Sequence, residues 1–140
     1  MLKEPTPFVK FTQGSIANPG TFEWTDPLKI PAGATPYSGK VAVLVNEYTQ
    51  SAAEFAAMAF RAAPRTAVIG STTAGADGNV SRITLPGDLH TMISGLGIFY
   101  PDGRPTQRVG IVPDVYLKPS PADLRAGRDV VLERAMESVK

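Results

Sequence analysis

Between Val41 and Gly70 the chain reads VAVLVN, a short polar stretch, SAAEFAAMAFRAAP and then TAVIG. This succession limits the fold more than any other feature. VAVLVN is a nearly unbroken β-branched and aliphatic run, the pattern of a strand buried on both faces. From Ser51 to Ala63, Ala52, Phe55, Ala56, Ala59, Phe60 and Ala63 recur at i, i+3 and i+4 spacing, and Ala53, Ala57 and Met58 fill much of the remainder. A helix apolar nearly all round is a buried one, and Pro64 ends it. TAVIG supplies the next strand. Strand, helix, strand in 30 residues is a βαβ unit, and a parallel sheet in an α/β fold is its natural outcome.

The flanks are punctuated differently. Residues 1–40 hold Pro5, Pro7, Pro19, Pro27, Pro31 and Pro36 among four glycines. Only short extended pieces fit there, at Phe8–Thr12 and Thr21–Thr25, and they read as an arm with short strands rather than as core. The division expected is therefore an arm over 1–40 and an α/β core over 41–140. After a loop at 71–78 (STTAGADG), strands are expected at Asn79–Leu85, Thr91–Ser94, Gly97–Tyr100 and Val112–Leu117. Ser120 and Pro121 then read as N-cap and first residue of one closing helix, with Leu124, Val131, Leu132, Ala135, Met136 and Val139 facing inward.

Composition narrows the chemistry. Fourteen basic against 13 acidic residues leave a formal charge of +1, which gives no electrostatic reason to expect a nucleic-acid partner. With no cysteine and one histidine, thiolate metal sites and His-rich centres are excluded. Asp77, Asp88, Asp102 and Asp114 each lie beside Gly or Pro, as turn residues do. No apolar run approaches the ~18 residues of a membrane span, and MLKEPTPFVKF lacks the plan of a signal peptide.

One constellation is suited to reaction. Ser51 stands where the buried strand gives way to the buried helix. Unpaired N–H groups and the positive end of the helix dipole would stabilise an anion forming beside it, and the Ala52 N–H would be one oxyanion donor. Ser51 and Glu54 also form an S-x-x-E capping box, which accounts for both residues without any reaction. Tyr48, in the loop before Ser51, would border a substrate cleft. His90 lies far along the chain beside a strand, where a structural role suffices.

Four blocks in order, VAVLVNEYTQSAAEFAAMAF, TAVIGSTTAGADGNVS, IFYPDGRPTQRVGIVPDV and the closing helix, cover about two thirds of the chain. Together they resemble the catalytic half of the C-terminal processing (tail-specific) serine protease family. The resemblance implies a ClpP/crotonase-like ββα spiral, Ser51 as nucleophile, the Ala52 amide as oxyanion donor and a protein or peptide substrate, with no cofactor. Members with a Ser–Lys dyad carry the lysine in the loop after the TAVIG strand. That position is Ala76 here, no lysine lies between Lys40 and Lys118, and the partner glutamine of that lysine falls on Val80. The loop is instead similar to the tricorn-core branch, whose acidic supporting position falls on Gln107.

No glycine-rich oxyanion motif precedes Ser51. The resemblance therefore implies that the base, a second oxyanion glycine and a PDZ-like domain lie upstream of Met1, so that the chain alone is inactive. It also implies export in a bacterium, and surface left bare by the missing half is expected to favour a homo-oligomer. Two other readings stay open: a catalytically silent peptide-binding or assembly module of the same fold, and a crotonase-like acyl-CoA enzyme.

Overall fold

The computed structural model describes all residues 1–140. In chain order its elements are β1 (Thr6–Gly14), β2 (Phe22–Trp24), β3 (Leu28–Ile30), β4 (Val41–Val45), α1 (Ala52–Arg61), β5 (Thr66–Gly70), β6 (Val80–Leu85), β7 (Leu89–Ser94), β8 (Leu96–Phe99), β9 (Val115–Tyr116), α2 (Pro121–Arg125) and α3 (Val130–Val139).

The βαβ unit forms as its pattern predicts. β4 and β5 pair in parallel from Val41 opposite Thr66 to Val45 opposite Gly70, and β9 extends the sheet beside β5. Crossover α1 lays Ala57 and Met58 on this sheet, while α3 packs against β4 and β5 as well. A second, antiparallel sheet is organised by β1. It pairs with β3 through its first residues, with β2 through its last, and with β8 along Lys10–Gln13. Between the two sheets lies one core of Phe8, Val9, Val45, Ala57, Met58, Val68, Ile98 and Ile111. Burial of each large apolar side chain there contributes ~1.5–3 kcal/mol. The third β unit, the β6–β7 hairpin, stands apart, with all twelve of its strand residues exposed.

Four expectations are corrected. The segment before Val41 is not outside the core: Phe8 and Val9 are buried, and the Phe8 ring meets Phe55 edge-on at 5.1 Å. The two are consecutive yet both buried, at the point where the β1–β3 register shifts between Pro7 and Val9. Helix α1 is not buried all round. Ala52, Ala53, Ala56 and Phe60 are exposed because both sheets lie beneath it and nothing lies above. Likewise Leu44 on β4 is only partly covered, since α3 shields that face incompletely.

The closing helix is two helices. Gly127, at φ +66°, stops the first, and the Asp129 carboxylate accepts the Leu132 N–H at 2.9 Å to start the second. The break resets the helical phase. Ala135 is the buried residue of α3, with Val131 and Ser138 partly covered beside it, while Leu124, Leu132, Met136 and Val139 face outward.

Candidate active site

The loop between β4 and α1 is a tight turn built on Asn46. Its Oδ1 accepts the Tyr48 N–H at 3.0 Å, its carbonyl accepts the Thr49 N–H at 2.9 Å, and its own N–H donates to Thr49 Oγ1 at 3.0 Å. The turn delivers Ser51 to the head of α1 with φ 52° and ψ −122°. A non-glycine residue held there costs about 1–3 kcal/mol and persists only where its surroundings enforce it.

The enforcing group is Glu54. Its fully buried carboxylate accepts the Ser51 N–H at 3.1 Å, the Gly75 N–H at 2.8 Å, the Ala76 N–H at 2.9 Å and the Thr73 hydroxyl. Ser51 and Glu54 do face each other as a capping box, yet the Ser51 hydroxyl makes no cap hydrogen bond. Ser51 and Ala52 are both exposed residues, and neither that hydroxyl nor the Ala52 N–H donates to any group of the chain. A nucleophile beside an unpaired amide at the positive end of a helix dipole can be stabilised as its charge develops.

Thr73 carries the network onward, its Oγ1 accepting the Ile111 N–H at 2.6 Å. The loop at 71–78 can lie this close to the Gly110–Asp114 segment because two glycines meet. A Cβ on Gly110 would sit 2.5 Å from the Thr73 carbonyl, and one on Gly75 would sit 2.9 Å from the Gly110 nitrogen. Farther along, Arg61 donates to the Val112 carbonyl and to Asp114, whose other oxygen accepts the Val68 N–H at 2.7 Å. Asp114 is thus a latch between strands, not a turn residue alone.

Asp77 also departs from the turn reading. It is buried, one carboxylate oxygen accepts the Gly78 N–H at 2.7 Å, and the other has no partner. Burial pushes its carboxyl above the usual aspartate range, the Gly78 N–H pulls it back, and the neighbouring Glu54 charge adds to the rise.

The remaining candidates are dispersed. Every hydrogen-bonding group of the Gln107 amide is used away from Ser51. Its Nε2 donates to the Asp77 carbonyl at 2.8 Å, the Leu96 carbonyl at 2.9 Å and Ser94 Oγ at 3.3 Å, and its Oε1 accepts the Ile98 N–H at 3.3 Å. The Tyr48 side chain is 83% exposed beside the site. His90 sits at the tip of the hairpin, 3.5 Å from Asp88.

On the other side of the Ser51 loop, a cavity of about 530 Å³ opens at the carboxyl ends of β4, β5 and β9, the end at which open α/β sheets bind ligands. Glu47 there accepts the Ser71 hydroxyl and pairs with Lys118, both at 2.7 Å. Chiefly the hydrogen bond from Lys118, and then that from Ser71, holds the Glu47 carboxyl down at about 2. No three His, Asp or Glu side chains converge anywhere to hold a metal ion.

The sequence points to Ser51 and Ala52 but does not reveal Glu54 as a hub. The one signal was an acidic residue in a helix otherwise apolar up to Arg61, which the capping box already explained.

A family model, peptidase family S41, matches residues 9–117. Among solved structures, a putative peptidase from Parabacteroides merdae superposes with a TM-score of 0.82 at 22% identity over 99% of this chain and 44% of its own. Mature CPAF in complex with lactacystin gives a TM-score of 0.64 at 25% identity, over 78% of this chain and 21% of that one. The photosystem II D1 C-terminal processing protease gives 0.56 at 25% identity, over 100% and 35%. The chain thus spans less than half the length of each. No curated protein sequence matches it, and nothing in these likenesses supports an acyl-CoA enzyme.

Proposed function

The chain belongs to peptidase family S41, and on that premise we propose that it carries the nucleophile of a serine endopeptidase of the C-terminal processing type. Ser51 Oγ attacks a peptide carbonyl carbon to give a tetrahedral oxyanion, its hydroxyl proton passing to the base. The C–N bond then breaks as that proton goes to the leaving amine, which leaves the acyl ester, and water hydrolyses the ester to the carboxylic acid and restores the Ser51 hydroxyl. The Ala52 N–H donates to the oxyanion, and Tyr48 borders the substrate.

The observation that carries this reading is the left-handed backbone of Ser51, held by a buried carboxylate while the residue itself stays exposed. Strain of this kind gathers at sites where a side chain must be presented rather than packed.

The base comes from outside these residues. No lysine lies in the β4–α1 or 71–78 loops, Lys118 is held by Glu47, His90 is on the hairpin, and the Gln107 amide is spent on structure. A hydroxyl without a base is a poor nucleophile, so the 140-residue chain alone is inactive. The same absence favours a second reading, a silent peptide-binding module.

Fluorophosphonate labelling of the protein as its own cells produce it, read by mass spectrometry, separates the two. The peptidase predicts modification at Ser51, lost in Ser51→Ala together with peptide hydrolysis. Hydrolysis that survives Ser51→Ala overturns the assignment, and an unlabelled Ser51 leaves the binding module.

A further inference from the structure

Four donors meet the buried Glu54 carboxylate, and three of them are the backbone amides of Ser51, Gly75 and Ala76. Such amides are present whatever side chains the loop carries. The fourth donor is the Thr73 hydroxyl. Apart from Glu54 itself, it is the one side chain through which the amino-acid sequence sets this arrangement.

Thr73 is buried, and its oxygen has two partners. Because that oxygen accepts the Ile111 N–H at 2.6 Å, the hydroxyl hydrogen is free to point at Glu54 Oε1. The Thr73 N–H donates to the Ile111 carbonyl at 3.4 Å, so the residue is fixed at two points against the Gly110–Asp114 segment. The same loop is gripped once more at Gly75, whose carbonyl accepts the Arg108 N–H at 2.7 Å.

Backbone strain gathers around this loop. The non-glycine residues with positive φ are Ser51 at 52°, Arg108 at 63° and Asp88, which lies in the hairpin turn. Strained backbone persists only where its neighbours over-determine it. For Ser51 and Arg108 the common neighbour is Gly75, bonded to Glu54 through its N–H and to Arg108 through its carbonyl. Every partner in the arrangement belongs to these 140 residues.

We propose that Thr73 is a positioning residue for Ser51. Its hydroxyl fixes the orientation of the Glu54 carboxylate and thereby the left-handed backbone of the serine. A carboxylate turns readily about its last side-chain bond. With Oε1 bonded to Thr73 and Gly75, Oε2 faces the Ser51 and Ala76 amides. Without the hydroxyl, Oε1 keeps one donor, the Ile111 N–H loses its acceptor, and Ser51 relaxes toward the negative φ of an ordinary helix cap. The effect on reactivity rests on the peptidase reading, and the effect on the Ser51 backbone does not.

Nuclear magnetic resonance of the full chain tests the proposal at Ser51 itself. In the left-handed region the amide and α protons of one residue approach each other, and the Overhauser cross-peak between them is strong. Expected are that cross-peak at Ser51 and slow exchange of the Ser51, Gly75 and Ala76 amides. Thr73→Val removes the hydroxyl at nearly the same shape. It weakens the cross-peak and speeds those amides about tenfold or more relative to the β4–β5 ladder, the loss of one hydrogen bond to a charged group. Thr73→Ser keeps the hydroxyl and retains both features, while Thr73→Cys, a weaker donor, falls between. Val9→Ala, a core truncation outside the network, leaves the cross-peak as it is.

In the protein as its own cells produce it, Thr73→Val also slows fluorophosphonate labelling of Ser51 about tenfold or more, and kcat falls with KM unchanged. Wild-type Ser51 that never labels overturns the peptidase reading, and the cross-peak still decides on Thr73. An unchanged cross-peak in Thr73→Val, or in Thr73→Cys where the valine variant does not fold, overturns the proposal. A serine variant as disruptive as the valine overturns it too, by assigning the effect to the methyl group, as does equal weakening of the cross-peak in Val9→Ala.

Discussion

The β4–α1–β5 unit and the β6–β7 hairpin are both contiguous in sequence, and both are rich in aliphatic residues. Yet Val45, Ala57, Met58, Val68 and Ile69 of the first are buried, while every strand residue of the second is exposed. Hydrogen bonding does not separate them, because each closes its own strand ladder. The crossover does. Parallel strands must be joined by a long connection, and when that connection is an amphipathic helix it returns across the sheet and covers it. A hairpin turn folds nothing back, so its faces wait for another layer. Contiguity in sequence brings burial only where the connection itself is the cover.

Removing the carboxylate that ties the first unit to its neighbours has the largest expected effect. Glu54→Leu leaves three backbone N–H groups and the Thr73 hydroxyl without an acceptor, at about 1–3 kcal/mol for each donor left buried. A net loss of about 4 kcal/mol or more is expected in urea unfolding. A loss under about 1 kcal/mol would mean that water replaces the carboxylate and that the unit is not closed.

Truncation in the two regions tests the contrast directly. Met58→Ala is expected to cost about 2–5 kcal/mol, against about 0.5 kcal/mol or less for Leu89→Ala. Equal costs would show that the hairpin packs on the body of the molecule after all.

A smaller effect, of opposite sign, is expected at Ser51. Ser51→Gly relieves the left-handed backbone and stabilises by about 1 kcal/mol, visible as a raised Tm, while removing the proposed nucleophile. Destabilisation instead would show that Ser51 is an ordinary cap.

The smallest is a slope with pH. Because the Asp77 carboxyl titrates above its ordinary value of ~4, its contribution to stability is complete below that value and is lost as pH rises through the folded pKa. Asp77→Asn is expected to flatten that part of the stability–pH curve and to gain stability at neutral pH. An unchanged slope would place the unpartnered oxygen in contact with water.

Legibility followed the range of the interactions. The β4–α1–β5 unit and the place of Ser51 could be read because they rest on periodicity within about 30 residues. The break between α2 and α3 had a visible signal in Gly127, which the apolar spacing of the last helix overrode. The burial of Phe8 and Val9 was hidden by the prolines around them. Gln107 carried a different expectation altogether. The resemblance put it in a supporting role at the site, whereas its amide staples the hairpin to the loop before it, through partners 9 to 30 residues away.

By itself the amino-acid order determined the α/β class, the parallel pair with its crossover, and a serine at the mouth of a helix. Each depends on neighbours within a few turns of chain. Only the tertiary structure decided that Glu54 would be a buried hub, that Asp77 would lose its solvent, and that the hairpin would remain bare. Those outcomes depend on which distant donors and surfaces arrive beside a residue, and local hydrophobicity and spacing carry no record of that.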